Sequence, residues 1–407
     1  MEEKRDEEAR QAAKFFIISN TEVACRIQST LDIDVWRSSE AFYNLISYLN
    51  DVSTEVQGVL SSASFPVSEN IRRLTTIFDK LDEIVTSSPP AFQVVDTMAS
   101  ASLDLGNKGY RRFSRIMLRD IYQILEEALP VNKCSYVNEL GQYLSGAFGS
   151  STKIEYGTGH ELSFLFFMCG LFEAKILRRE QDLAASALIL FDRYLKFVRR
   201  MQVLYSVVSA NCQGAYGLDK FQFVPYIWGA AQLCHGAPFS PQKMLDENIV
   251  EEYKTEYMLI DCVRHVYDTA GGSFARHSSQ LWSLAALSSW MKIHRGLMFM
   301  YMEDILLDFD SLSALRFGEL MPFEKAKSGR QLGNARLGAI SPVRCQLRTS
   351  RLGTPMNSKL KLSPRKDNVY SDALSNSGLS LGSECSSLSG VSVNLPTWME
   401  EDSPNTK

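Results

Sequence analysis

Between Leu183 and Val208 the apolar residues fall at Leu183, Ala187, Leu188, Phe191, Tyr194, Leu195, Val198, Met201, Tyr205 and Val208, while Asp192, Arg193, Lys196, Arg199 and Arg200 take the opposite face. Only a helix gathers residues of that spacing onto one side. The same period recurs in Ile71, Leu74, Ile77, Phe78, Leu81, Ile84 and Val85, with Ser68 placed to cap the start and Pro89–Pro90 to end the run. Ile116, Met117, Ile121, Ile124, Leu125 and Ala128 form a third stripe closed by Pro130. Further helices are expected at Ile249–Tyr267 and across Leu281–Leu307. No segment alternates convincingly at the period of a strand, so the fold class is all-α, and the absence of a visible repeat argues against a solenoid.

The longest near-continuous apolar run, Leu162–Phe172, is about half the roughly 20 residues of a membrane span and is followed at once by Glu173, Lys175, Arg178 and Arg179. It reads as a buried helix. The charged start, Met1–Arg10, does not resemble a secretory signal, and the cytoplasm is the expected compartment, with the nucleus a second. Eight cysteines show neither CxxC pairs nor a zinc-ligand spacing. Residues 1–324 carry 31 basic against 41 acidic side chains, a poor balance for nucleic acid. Beyond Phe323 the composition turns to Ser, Gly, Asn and basic residues, then acidic ones, too polar to offset chain entropy. The expected organisation is a disordered start at 1–13, a helical domain at 14–323 and a disordered tail at 324–407 with four Ser/Thr-Pro pairs.

Three stretches are not explained by packing alone. Lys153-Ile-Glu-Tyr-Gly-Thr-Gly-His-Glu161 places two glycines before a helix whose free N–H groups and dipole favour an anion. It lacks a complete dinucleotide or P-loop pattern, and Phe164 stands where a zinc-protease helix needs its second His. Gly214–Trp228 gathers five aromatics, a proline and Asp219, which suit either a groove for an extended proline-containing segment or, more commonly, an aromatic corner of the core. Gly271–Trp282 sets His277, Gln280 and Trp282 near a helix start.

In this order the three stretches resemble the phosphotyrosyl phosphatase activator family. Tyr156-Gly-Thr-Gly-His-Glu161 matches a family loop unchanged; Gly217-Leu-Asp-Lys, Tyr226-Ile-Trp-Gly229, His277-Ser-Ser-Gln-Leu-Trp282, Ser289-Trp-Met-Lys292 and Phe317-Gly-Glu-Leu-Met-Pro322 match others. The resemblance spans about Ile17 to Phe323. It implies core, linker and lid subdomains around a deep groove, and the catalytic subunit of protein phosphatase 2A as partner, with or without its scaffold subunit. It also implies ATP and magnesium: Lys153, Thr158 and Gly159, with His160 beside them, for the nucleotide, and Gly214 with Asp219 for the metal. Lys153 stands where an Arg is usual, keeping charge but losing a bidentate fork.

The family's assigned activity is prolyl isomerisation. Its barrier of about 18–20 kcal/mol comes from amide resonance, so a groove that desolvates the carbonyl, twists the amide and donates to the prolyl nitrogen suffices. Phe223, Trp228, His277, Gln280 and Trp282 are the expected lining, with Asp219 orienting a partner or metal. Lys220 and Arg276 replace acids and weaken a divalent-cation site. A non-catalytic scaffold that grips the phosphatase is the competing expectation. Either requires the turns at 157–159 and 214–217 to meet the indoles of Trp228 and Trp282.

Overall fold

The computed structural model describes residues 22–90, 99–210, 218–269 and 278–327, of which 99–107 are described in backbone alone. The expected disorder at 1–13 and beyond 327 lies outside the described residues, as do Gly214 and His277.

The described residues are mostly helical. After β1 (Ala24–Cys25) come α1 (Asp32–Arg37), α2 (Glu40–Glu55), α3 (Glu69–Ser87), α4 (Ala99–Ala128) and α5 (Val137–Ser145). Next are β2 (Glu155–Tyr156), α6 (Thr158–Glu173), α7 (Arg179–Ala185), α8 (Asp192–Tyr205) and β3 (Val208–Ser209). Then α9 (Val224–Leu233), α10 (Glu247–Tyr253), α11 (Met258–Thr269), α12 (Ser279–Leu284), α13 (Trp290–Asp304), α14 (Phe309–Leu312) and β4 (Arg316–Phe317) complete the described fold. The anticipated cap of α3 is present, Ser68 Oγ accepting from the Ile71 amide at 3.3 Å.

α6 is apolar on every side, from Leu162 to Phe172 without an exposed residue, so it can only be a central helix. α5, α2 and α14 pack around it, and Phe164 stacks on Tyr194 of α8 with ring centres 3.8 Å apart. Trp36 closes one end, its indole N–H donating to the Leu306 carbonyl at 2.9 Å while its ring meets Phe42, Phe166 and Phe317.

Three local features depart from the pattern-based reading. The long stripe is not one uniform α-helix: α7 runs through a π turn at Ser186–Phe191 into α8. There Ser186 Oγ donates to the Leu183 carbonyl and shares a 2.9 Å hydrogen bond with Tyr48 Oη, so a side chain enters the ladder. Among the described residues there are also four two-residue strands, β1 antiparallel to β4 and β2 parallel to β3. Elements of two residues leave no alternation to read. Finally, residues assigned by composition to the tail run beside the start of α2, Ala326 N donating to the Ser38 carbonyl at 2.9 Å and Glu40 N to that of Glu324 at 2.9 Å.

α9 is pressed between α2, α11 and α13. At Gly229 the backbones touch: a Cβ there would lie 2.1 Å from the Leu259 amide nitrogen. Because that neighbour is backbone, Gly229→Ala must separate two helices, and a loss of about 1–3 kcal/mol or more in urea unfolding is expected. Unchanged stability would show that the crossing is looser than described.

Candidate functional site

The family-like loop begins at a turn tied down by steric necessity. Gly149 has φ 92°, and a Cβ on it would meet Tyr110 Oη at 2.3 Å and the Glu155 carbonyl at 2.7 Å. From this turn β2 leads to Gly157 and into α6. β2 lies along β3, with Val208 N donating to the Ile154 carbonyl at 3.1 Å and Ala210 N to that of Tyr156 at 2.9 Å. On the far side of the undescribed 211–217, Ser209 Oγ donates to the Lys220 carbonyl. Both ends of the segment containing Gly214 are therefore anchored beside the glycine loop, although Gly214 itself lies outside the described residues.

The junction between this loop and α9 is a buried carboxylate. Glu161 Oε2 accepts from the amides of Phe223 at 2.9 Å and Val224 at 3.2 Å, the first donors of α9, while Oε1 is buried with no donor among the described residues. Burial raises its pKa to about 8, against the lowering influence of those amides. Asp219 performs a similar service one step earlier: Oδ1 accepts from Phe221 N at 2.7 Å and Gln222 N at 3.1 Å, and Tyr226 Oη donates to Oδ2 at 2.7 Å. Tyr156 faces this cluster. Its hydroxyl lies 2.6 Å from that of Tyr194, which donates to the Ala147 carbonyl at 2.9 Å, and its ring meets His160 and Phe221.

The proposed nucleotide residues divide in character. Lys153 is exposed and pairs with Glu155 at 3.3 Å. His160 Nδ1 accepts from Gly157 N at 3.2 Å, and burial, with the Lys153 charge second, lowers its pKa to about 4. Thr158 is buried with Oγ1 3.3 Å from Ser311 Oγ, and a Cβ on Gly159 would approach the Ser311 carbonyl to 2.7 Å. The second glycine thus serves a close approach to α14 within the chain, a role its sequence context does not distinguish from approach to a ligand. Phosphate fits what remains, an exposed lysine held only by a surface ion pair to Glu155 and the N-terminus of a 16-residue helix. A carboxylate cage for magnesium does not: Asp219 is already bonded through both oxygens, and among the described residues no three His, Cys, Asp or Glu side chains converge.

The expected aromatic lining is corrected at one position. Trp228 does not border a groove; it is wholly enclosed, edge-on to Phe191 and Tyr48 with ring centres at 4.9 and 6.0 Å. Its place on the inward face of α9 makes it core. Trp282 on α12 is 54% exposed and makes no ring contact with Trp228. Phe223 is buried against Tyr301 at 5.4 Å, Gln280 is partly buried, and His277 lies outside the described residues. The residues that unite the site, Glu161, Tyr156, Tyr226 and Ser311, were absent from the expected set. Tyr156, Glu161 and Tyr226 fall within the family-like words, and Glu161 stands out further as an acid at the head of an otherwise apolar helix; Ser311 carries no such signal.

Taken together these features describe a helical scaffold in which a glycine loop at a helix N-terminus is locked to a second helix start. The family model for the phosphotyrosyl phosphate activator (PTPA) protein matches residues 23–323, and the chain belongs to this family. It is 44% identical over 320 residues to a serine/threonine-protein phosphatase 2A activator of Drosophila melanogaster, covering 79% of this chain and 78% of that protein. A probable serine/threonine-protein phosphatase 2A activator 1 of Dictyostelium discoideum is 31% identical over 296 residues, 72% of this chain and 87% of the relative. The crystal structure of the PP2A phosphatase activator Ypa1 PTPA1 superposes with a TM-score of 0.64 at 26% identity, over 74% of this chain and 95% of the other.

The paired ionisations give a signed pH test. Glu161 holds a proton in the folded chain that the unfolded chain releases near pH 4.3, so its contribution is whole below that value and is lost as pH rises through about 8. His160 acts oppositely, its contribution whole above about pH 6.5 and lost as pH falls toward 4. Urea unfolding from pH 6.5 to 9 is expected to weaken in the wild type and to be markedly flatter in Glu161→Gln, which keeps the neutral acceptor. An equal slope in both would remove Glu161 as the titrating group.

Proposed function

We propose that this chain activates protein phosphatase 2A by binding its catalytic subunit, alone or with the scaffold subunit, and that it does so as a prolyl isomerase assisted by ATP and magnesium. The observation that carries the reading is the join between the two family-like loops. They are held together by Glu161 on the Phe223 and Val224 amides, 62 and 63 residues further along the chain. The names of the relatives from Drosophila and Dictyostelium support the phosphatase as partner.

Within this reading Lys153 and the α6 N-terminus receive the nucleotide's phosphates, with Thr158, Gly159 and His160 shaping the loop. The bound nucleotide would bring magnesium largely on its own phosphates, Asp219 and the segment at Gly214 adding at most an outer partner. Isomerisation asks for desolvation and a donor without a covalent intermediate. Exposed Trp282 with Gln280 offers the surface for a proline-containing segment, and His277 adjoins it in sequence; Phe223 acts from behind by fixing the start of α9. The cytoplasm and nucleus are the compartments where such a partner would be met.

The test uses the full chain. It should co-purify with the phosphatase catalytic subunit, more completely with ATP and magnesium, and accelerate cis/trans exchange of a proline-containing phosphatase peptide. Trp282→Ala should slow that exchange about tenfold while leaving urea stability nearly unchanged, since the indole is half exposed. Binding without acceleration would leave the scaffold reading and remove the isomerase; failure to bind would remove both.

A further inference from the structure

A basic groove lies between α4 and the turn that leads into β2. It is an open cavity of about 440 Å³ lined by Arg111, Ser114, Arg115 and Leu118 of α4 and by Ser151 and Thr152 of the turn before β2. We propose that this groove binds a phosphorylated serine or threonine presented by a protein segment.

The cations come first. Arg111 and Arg115 stand four residues apart, on one face of α4, where helical spacing sets their Cβ atoms about 6 Å apart. Neither forms an ion pair with a described residue, whereas the next arginine, Arg119, is engaged with Asp120 at 2.6 Å. Lys153, just past the turn, is engaged by Glu155. The groove therefore gathers two uncommitted guanidinium forks and three hydroxyls with no carboxylate in its lining. Guanidinium forks match the paired oxygens of a phosphate monoester, and hydroxyls donate to the third.

The two walls are fixed to each other. Tyr110, adjacent to Arg111, donates its hydroxyl to the Phe148 carbonyl at 2.7 Å and fills the space that a side chain at Gly149 would need. The Ser151–Thr152 turn is thereby seated on α4 before any ligand arrives, which reduces the ordering that binding must impose.

The lining also discriminates between carriers of phosphate. It holds no aromatic ring on which a nucleobase could stack. It does hold Leu118, 49% exposed, which suits an aliphatic residue flanking the modified one. A phosphorylated side chain within a peptide fits both features, and the groove's lining includes neither Lys153 nor the α6 N-terminus.

The experiment is fluorescence polarisation of the full chain with a labelled Ala-Leu-phosphoserine-Leu-Ala peptide and its unphosphorylated form, with inorganic phosphate and ATP as competitors. The phosphorylated peptide should bind at least about tenfold tighter than the plain one, weaken with salt, and be displaced by millimolar inorganic phosphate. Arg111→Glu/Arg115→Glu should lower its affinity at least about tenfold, and Arg115→Lys, which keeps charge but loses the fork, by several-fold. Arg112→Glu, one residue off the groove, should have little effect. Equal binding of the two peptides, an unaffected double variant, or an equal loss in Arg112→Glu would each overturn the site. Displacement by ATP at concentrations where inorganic phosphate is inert, lost in the double variant, would overturn the assignment to a peptide. Because all three arginines are exposed, the variants should keep the wild-type unfolding midpoint; should the double variant unfold early, Arg115→Lys decides.

Discussion

The arrangement turns on one buried carboxylate. α6 is an apolar rod driven to the centre of the fold, and Glu161 enters with it, since no rotation of such a helix would return the residue to water. Left alone there it would be costly; bonded to the first two donors of α9 it satisfies amides that no helix can satisfy for itself. The interaction joins the end of the glycine loop to the start of the aromatic helix, and so fixes the relation between two segments 62 residues apart in sequence. Its raised pKa is the expected consequence of placing an acid where water cannot reach.

Rigidity around that link comes from packing without freedom. Phe164 on Tyr194, Trp228 between Tyr48 and Phe191, and Gly229 against Leu259 leave α6, α8, α9 and α11 little room to slide. Gly159 against Ser311 does the same for the short α14. The loop is thus presented on a stiff frame, as a surface meant to be read by a partner needs to be.

How far the sequence reveals this depends on whether the determinant is periodic. The stripe from Ile71 to Val85 and its Ser68 cap give α3 nearly to the residue, and the apolar run at Leu162–Phe172 announces a buried helix, because burial writes itself at a spacing of 3.6. The π turn at Ser186–Phe191 leaves no such trace, and the Ser186–Tyr48 hydrogen bond at its start joins residues 138 apart. Trp228 was misplaced for a related reason: an aromatic beside Gly and Pro looks alike in a cleft wall and in a core corner, and only the face of α9 it occupies separates them. Gly159 shows the same ambiguity between a ligand and a neighbouring backbone. Lys153, Asp219 and Glu161 are visible as charged residues; the bonds of the first two stay within a few residues, whereas Glu161 reaches Phe223 and Val224, positions that sequence spacing cannot join.

Hydrogen exchange at the Phe223 and Val224 amides tests the central link most directly. With Glu161 accepting both, these amides should exchange at rates close to those in the middle of α9, and in Glu161→Ala they should exchange at least about tenfold faster while Leu74 and Leu81 amides of α3 keep their protection. Fast exchange of both amides in the wild type, or rates untouched by the substitution, would mean that the carboxylate does not hold the two segments together.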